Sequence, residues 1–421
     1  MKSKYRRTTQ PVTQHVKKWQ RAIVLIDMDA FFASIEQHDH PELRGRAIGI
    51  TNGLTGTCFI TCSYEARQYG IKTGTRVKQA KQLCADVIQV PARPYRYAEV
   101  STNIMSALQS ITPDIEIFSV DEAFLDLTHC QGIYRDLEKA GKLIKEVVYE
   151  AGQVPCSVGI SGDKTTAKVA AKQIKPDGLL LVPPWESRDF LKYKPVTDLC
   201  GVAKGIGKFL GDRGVKICGD MQRLPIGELA RRFGNPGRRI WYMAQGLDSE
   251  PLQPTIAAPK SIGHGKVMPP NTKDRATLKV YLHHMAEKVA TRLRKHEFEA
   301  QRFFIGFLTE QGWLAKKLKT VEPTNDSKKI KELANNLLNE YWQGQGCFQV
   351  QITALDPKDL GNQLSLFSKK DIKRDNINQT MDQINERYGE FSLTPAILLN
   401  RSDMPNVIAP AWKPGGHRKT V

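Results

Sequence analysis

The chain has 421 residues, of which 40% are apolar and 25% charged. This length predicts about three domains, and the composition is typical of folded globular proteins. The longest apolar runs are short enough for strands, and the first 20 residues are polar and basic. We therefore predict neither a membrane-spanning helix nor a secretory signal peptide. The eight cysteines are not clustered, which is typical of thiols in a reducing cytosol, so we expect a cytoplasmic protein.

The net charge of +18 indicates a polyanionic partner. Its distribution along the chain is uneven. Residues 1–20 carry six basic and no acidic side chains, and this segment is predicted to be a flexible arm. Residues 21–182 carry 18 basic and 19 acidic side chains, whereas 183–254, 258–356 and 357–421 have net charges of +4, +6 and +3. The pattern predicts an acidic catalytic part and basic parts that hold the polyanion.

The elements predicted for the first half of the chain alternate between short apolar runs and amphipathic segments. Strands are expected at 23–26, 46–50, 57–61, 115–120, 123–127 and 157–160, and helices at 30–37, 78–84, 95–111, 134–151 and 165–174. The order strand, helix, hairpin, helix, strand, helix is typical of a ferredoxin-like α+β layer that carries an insertion.

The second half contains a glycine-rich segment of short helices up to residue 250 and a linker with Pro251, Pro254 and Pro259. Helices are then predicted at 278–296 and 328–341, and strands at 302–308 and 349–355. After residue 356 the sequence is polar and basic until an amphipathic segment at 372–388.

Acidic residues at predicted strand ends are the sharpest chemical signal. Asp27 follows a buried strand, and Asp121 and Glu122 stand at the apex of the predicted hairpin. Three carboxylates at one sheet edge suit Mg²⁺, which prefers oxygen ligands, and a two-metal site would serve phosphoryl transfer. From spacing alone, solvent-exposed turn acids remain the alternative. Cys58 and Cys62 lack a second ligand pair for zinc and are interpreted as buried thiols.

Five motifs in order resemble those of the Y-family, lesion-bypass DNA polymerases. They are 26–36 (IDMDAFFASIE), 63–67 (SYEAR), 119–123 (SVDEA), 158–161 (VGIS) and 170–176 (AAKQIKP). The resemblance covers about 21–367 of the chain. It implies an α+β, multidomain right-hand polymerase that is error-prone and template-directed and that inserts dNTPs opposite or past damaged template bases by two-metal phosphoryl transfer. The domains implied are a ferredoxin-like palm (21–30 and 94–182), small fingers (31–93), a helical thumb (183–254), an α/β little finger (258–356) and a tail (357–421).

The resemblance also implies roles for individual residues. Asp27, Asp121 and Glu122 match the palm carboxylates that hold two Mg²⁺ ions, with the carbonyl of Met28 as a further ligand. Phe32 occupies the steric-gate position, where a ring excludes the 2′-hydroxyl of a ribonucleotide. The triphosphate requires cationic and hydroxyl donors. The dNTP-binding residues implied are Phe31, Phe32, Thr61, Tyr64, Arg67 and Lys175. Asp29 is interpreted as a supporting residue at most, and Ser161 as structural or close to the triphosphate.

Two further segments resemble binding motifs. Residues 199–210 (LCGVAKGIGKFL) resemble a helix-hairpin-helix, whose backbone N–H groups bind a DNA phosphate. Its implied DNA contacts are Gly201, Ala203, Lys204 and Gly205, and Ala203 stands where the family usually has a second glycine. Residues 363–367 (QLSLF) resemble the pentapeptide that docks on the sliding clamp. Its implied contacts are Gln363, Leu364, Leu366 and Phe367.

The partners implied are primer-template DNA, dNTPs, the sliding clamp and accessory mutagenesis subunits. The N-terminal motifs are more similar to the DinB branch of the family, whereas residues 380–389 look like tails of the UmuC branch, so the branch stays open. One alternative function also remains at this point, a non-catalytic scaffold of the same fold that binds DNA and the clamp. The complete set of acids and triphosphate residues favours the enzyme.

Overall fold

The structure is a computed structural model that describes residues 19–53, 56–255, 258–360 and 371–401. The chain divides into two compact units after Thr255. The elements of the first unit are, in chain order, β1 (Ile23–Met28), α1 (Phe31–Asp39), β2 (Ile48–Thr51), β3 (Phe59–Cys62), α2 (Tyr64–Gln68), α3 (Val77–Leu83), β4 (Ile88–Pro91), α4 (Pro94–Leu108), β5 (Ile115–Ile117), β6 (Glu122–Asp126), α5 (Leu137–Gly152), β7 (Cys156–Ser161), α6 (Lys164–Gln173), β8 (Leu179–Leu181), α7 (Ser187–Leu191), α8 (Lys204–Gly211), α9 (Ile226–Phe233) and α10 (Asn235–Met243).

The main sheet of the first unit has the order β5-β6-β1-β7-β8. Its first four strands are antiparallel and β8 is parallel to β7. The residues 23–26 of β1 are fully buried because this strand is central and covered on both faces. Helix α6 lies so close to β7 that a Cβ at Gly159 would stand 2.0 Å from the carbonyl oxygen of Ala167. Only glycine fits there, and the close contact fixes α6 against the sheet.

Two smaller parts complete the first unit. A three-stranded sheet of order β3-β2-β4 lies in the chain between β1 and α4 and packs its own core with α2 and α3. The segment from α7 to α10 is helical and surrounds a core that includes Leu199, Leu210, Leu229 and Ile240. Among the described residues, no helix combines the length and apolar character that crossing a bilayer requires.

The second unit is a four-stranded sheet covered on one face by helices. Its elements are β9 (Ile262–Thr272), α11 (Arg275–Lys295), β10 (Phe298–Thr309), β11 (Gly312–Thr324), α12 (Ser327–Glu340), β12 (Cys347–Ala354), β13 (Lys358–Asp359) and α13 (Ile372–Tyr388). The sheet order is β11-β10-β12-β9, with β13 paired to β10. Phe303, Ile305 and Phe307 of β10 point into the core beneath α11 and α12. The alternate residues of the edge strand β11, Lys317 and Lys319, are exposed.

Helix α13 is attached to α11 and to the start of α12 by charged pairs. Arg294 of α11 makes two hydrogen bonds to Asp382, at 2.6 and 2.8 Å. Arg374 donates to Asp326, the N-cap of α12, at 3.1 Å. Bidentate arginine–carboxylate pairs are geometrically specific, so these contacts fix the position of α13.

The predicted helices and most predicted strands are confirmed within a few residues. The strands β4, β8, β9, β11 and β13 were not predicted. The predicted strand at 115–120 ends at Ile117, and Glu122 is the first residue of β6 rather than part of the turn. The interpretation of Cys58 as a buried thiol is wrong, because Cys58 is exposed and only Cys62 of the pair is buried.

Candidate active site

Antiparallel pairing brings the three predicted acids to one end of the main sheet. Asp27, at the end of β1, lies directly opposite Glu122, the first residue of β6. The backbone N–H of Met28 donates to the carbonyl oxygen of Asp121 at 2.9 Å, which ties the turn before β6 to the end of β1. The pairing of β1 with β6 thus brings together Asp27 and Asp121, which are 94 positions apart in the sequence.

The carboxylates are crowded, and two of them are paired with lysines. Lys175 contacts Asp27 and lies 3.7 Å from Asp29, and Lys168 lies 2.6 Å from Glu122. Burial raises the pKa of Asp27 to about 7; Lys175 opposes this rise and the charge of Glu122 adds to it. The site therefore concentrates negative charge that nearby cations must balance.

Asp121 differs from the other two acids because it has no lysine partner among the described residues. Burial raises its pKa, and a hydrogen bond of 2.6 Å donated by the Ser119 hydroxyl opposes the rise. Lys175 also lowers the pKa of Asp121 by its charge but makes no direct contact, and a carboxylate that is largely removed from water without such a contact is unfavourable. Its environment therefore favours a positive ion.

The carboxylate oxygens of the three acids suit hard divalent cations, which bind carboxylate and carbonyl oxygens. As they stand, however, no three acidic, histidine or cysteine side chains of the described residues converge closely enough to hold an ion. The pairs of Lys175 with Asp27 and of Lys168 with Glu122 explain this arrangement. A cation entering the site would compete with the two ammonium groups for the same oxygens.

Lys168 was missed at the sequence level. It belongs to a row formed by Lys164, Lys168 and Lys172 at intervals of four residues along α6, and each contacts a different acid. Such spacing places the three side chains on one face of a helix. The spacing was visible in the sequence, but the identity of the acid that each lysine meets depends on how α6 packs against the sheet.

The predicted triphosphate residues lie on separate elements around the acids. Tyr64 is the first residue of α2, and its hydroxyl donates to Asp29 at 3.2 Å. The exposed guanidinium of Arg67 lies over the Tyr64 ring, 4.5 Å from its centroid. Thr61 is half-buried on β3. Lys175 contacts Asp27 and lies beside Asp29, so that Lys175 and the Tyr64 hydroxyl share Asp29 as a neighbour.

Phe32 is held by a second aromatic ring. It stacks in parallel on Tyr97 of α4, with 4.3 Å between ring centroids and 11° between planes. The Tyr97 hydroxyl donates to Glu36 at 2.7 Å, and Arg93 pairs with the same carboxylate. Phe31 is buried and Phe32 is half-buried. The Phe32 ring therefore has one face on a fixed support and an edge that remains accessible.

The segment that resembles a helix-hairpin-helix accommodates its alanine without strain. Gly201 has φ of +84°, where glycine is favoured, whereas Ala203 has φ of −85° and ψ of −176°, an ordinary extended conformation. Ala203 is the N-cap of α8, and Lys204 and Gly205 are its first two residues. All four residues are exposed, so the first backbone N–H groups of α8 are accessible to an anion.

Another predicted residue, Ser161, lies away from the three acids. Ser161 pairs with Ile23 at the far end of β1 from Asp27, and its hydroxyl lies 3.2 Å from that of Ser187. This position indicates a structural role for Ser161. The residues of the clamp-like pentapeptide, Gln363, Leu364, Leu366 and Phe367, lie outside the described residues.

Comparison with known proteins identifies the class. Residues 26–172 match the impB/mucB/samB family and residues 259–366 match the impB/mucB/samB family C-terminal domain. The DNA polymerase IV of Desulfatibacillum aliphaticivorans is 30% identical over 90% of this chain and 96% of its own length. That of Moorella thermoacetica is 31% identical with the same coverage. A solved Y-family DNA polymerase chimera of Dbh and Dpo4 shares 27% identity with a TM-score of 0.69, over 80% of this chain and 98% of its own.

Together with the α+β fold, these similarities define a DNA-directed DNA polymerase. The chain belongs to the impB/mucB/samB family, the Y-family DNA polymerases, and is of the DinB type. Its function is translesion DNA synthesis, and it acts on dNTPs and primer-template DNA as a metal-dependent nucleotidyltransferase. The predicted family, fold class and activity are thus confirmed, and the scaffold alternative is set aside.

Proposed function

We propose that Asp27, Asp121 and Glu122, with the carbonyl oxygen of Met28, hold two Mg²⁺ ions for nucleotide insertion. The observation that carries this proposal is that the three acids lie at the same end of the main sheet, where burial raises the pKa of two of them. Bound there, the ions would stabilise the charge that develops on the oxygens of the phosphoryl group. Lys168 and Lys175 balance the carboxylates in their absence.

A structure of the complex with primer-template DNA, a non-hydrolysable dNTP and Mg²⁺ tests the assignment. We expect two ions within about 2.0–2.1 Å of oxygens of the three carboxylates, because Mg²⁺ binds at such distances. Lys175 should then have moved from Asp27 towards the triphosphate. Ions bound elsewhere, with both lysine–carboxylate pairs intact, would contradict the assignment.

The elements of the two units support an assignment of palm, fingers, thumb and little finger. The main sheet with α4, α5 and α6 would be the palm (21–30 and 94–182), and the small sheet with its helices the fingers (31–93). The helical segment (183–254) would be the thumb, and residues 258–356 of the second unit would be the little finger. The exposed N-terminus of α8, with Gly201, Ala203, Lys204 and Gly205, would bind DNA phosphates. Lys317 and Lys319 on the uncovered face of the second sheet would do the same.

The sequence is the basis for proposing the sliding clamp and accessory subunits as partners and the cytoplasm as the location. Within the proposed tail (357–421), β13 pairs with β10 and α13 contacts α11, and the segment between them would dock on the sliding clamp through Gln363, Leu364, Leu366 and Phe367. Accessory mutagenesis subunits are further proposed partners. The reduced cysteines are compatible with the proposed cytoplasmic location.

Changing Leu366 and Phe367 to alanine should abolish stimulation by the loaded clamp and leave extension without the clamp unchanged. Burying one Leu and one Phe contributes about 3–6 kcal/mol before the cost of ordering the peptide, which leaves a contact in the micromolar range. Tethering then raises the local concentration of the enzyme on DNA. The measurement is primer extension with and without clamp.

The matched control is alanine at Tyr388 and Leu399, two exposed apolar residues of the same region. The control should be stimulated like the unaltered enzyme. If the Leu366 and Phe367 variant is stimulated equally well, the docking site lies elsewhere.

A further inference from the structure

Asp29 is a fully buried carboxylate with an unusually complete set of partners. It follows β1 directly and accepts hydrogen bonds from the Ser157 hydroxyl at 3.0 Å and from the backbone N–H of Asp177 at 2.8 Å. The Tyr64 hydroxyl donates to it at 3.2 Å, and the Lys175 ammonium lies 3.7 Å away. Burying a carboxylate is costly unless several hydrogen-bond donors contact it. These contacts also fix the positions of the donor groups.

These partners come from three separate parts of the first unit. Tyr64 begins α2, Ser157 lies on β7, and Lys175 and Asp177 belong to the loop between α6 and β8. The backbone N–H of Asp29 also donates to the carbonyl oxygen of Pro155 at 2.9 Å. Asp29 therefore connects three elements by hydrogen bonds and charge: helix α2, the main sheet and the loop that carries Lys175.

Three proposed triphosphate contacts depend on this attachment. Tyr64 and Lys175 face Asp29 directly. Arg67 depends on it through Tyr64, because its guanidinium lies over the Tyr64 ring. Burial, with Asp29 and its charge nearby, raises the pKa of Tyr64, so the phenol keeps its proton at neutral pH.

We infer that Asp29 is a positioning residue for dNTP binding, which sets the places of Tyr64, Arg67 and Lys175 before the triphosphate arrives. This inference rests on the proposed function of those three residues. Preset geometry lowers the entropic cost of binding and so acts on the KM for the nucleotide.

The hydrogen bonds of Asp29 allow Tyr64 and Lys175 to bind the triphosphate without leaving the carboxylate unpaired. The Tyr64 hydroxyl has one proton, so donation to a phosphate oxygen withdraws it from Asp29. Asp29 then keeps the Ser157 hydroxyl and the Asp177 N–H as donors. The Lys175 ammonium has three donors, so after leaving Asp27 it can contact Asp29 together with a phosphate oxygen.

Asp29→Asn tests the inference, because asparagine keeps the shape and removes the charge and one acceptor. At saturating Mg²⁺ we expect the KM for dNTP to rise about ten-fold or more, with kcat, counted per active site, changed by less than about three-fold. Ser157→Ala removes a hydroxyl whose hydrogen bonds among the described residues go to Asp29 and Gly178, and it should raise the KM in the same direction by a smaller factor. The DNA dissociation constant should stay unchanged in both.

A double-mutant cycle separates positioning from general damage. If Asp29 acts through Tyr64, the KM of the Asp29→Asn and Tyr64→Phe double variant should be lower than the product of the two single effects predicts. The inference is overturned if the KM for dNTP is unchanged in both Asp29→Asn and Ser157→Ala. It is also overturned if the variants lose activity only because fewer enzyme molecules have an active site. Should Asp29→Asn not fold, the KM of Ser157→Ala decides the matter. If Tyr64→Phe and Lys175→Ala also leave the KM unchanged, the proposed triphosphate contacts fail instead.

Discussion

Asp121→Asn should lower kcat for nucleotide insertion by at least about 10³-fold and leave DNA affinity nearly unchanged. Asparagine has the size of aspartate, and its amide oxygen can still accept the hydrogen bond from Ser119. The substitution therefore removes the charge that a divalent cation needs, with little effect on the turn before β6. Single-turnover insertion of one dNTP into a primer measures the rate, and a DNA titration measures the affinity.

The matched control is Asp114→Asn, an exposed acid just before β5 in the same hairpin. It should insert nucleotides at the rate of the unaltered enzyme. If the Asp121 variant does so as well, Asp121 holds no catalytic metal.

Phe32→Ala should admit ribonucleotides at least about ten-fold better relative to deoxynucleotides. The ring is stacked on Tyr97, which is fixed by Glu36, so it cannot move aside for a 2′-hydroxyl. Exclusion by overlap is lost when the ring is removed, whereas the contacts to the triphosphate remain. The measurement is the ratio of kcat/KM for each dNTP to that for the corresponding rNTP.

Tyr95→Ala is the control, because Tyr95 is an exposed aromatic residue on α4, two positions from Tyr97. Its discrimination should equal that of the unaltered enzyme. Equal discrimination in Phe32→Ala would mean that the ring only contributes to packing.

The position of the acids could be predicted from the sequence because it depends on local signals. A buried run ending at Asp27 and two short strands around Asp121 and Glu122 are sufficient to predict carboxylates at one sheet edge. The lysines that balance them could not be assigned, because the pair of Lys168 with Glu122 joins residues 46 positions apart through the packing of α6. Glycine at 159 permits that packing.

Strands β9 and β11 escaped prediction for a physical reason. Both are edge strands, in which proline and exposed lysine are tolerated, so Pro269, Pro270 and Lys317 obscure the strand pattern. Ala203 shows the reverse case. The motif suggests a glycine at this position, whereas the backbone there is extended and accepts any residue. Whether this position needs a glycine depends on its backbone dihedral angles, which the sequence does not reveal.

Insertion of single nucleotides opposite each of the four template bases tests the central claim most directly. The unaltered enzyme should add only the complementary dNTP efficiently, and only with Mg²⁺ present. A triple variant with Asp27→Asn, Asp121→Asn and Glu122→Gln should bind the primer-template and add none. Template-directed insertion that persists in the triple variant, or in excess EDTA, would contradict the assignment of catalysis to these carboxylates.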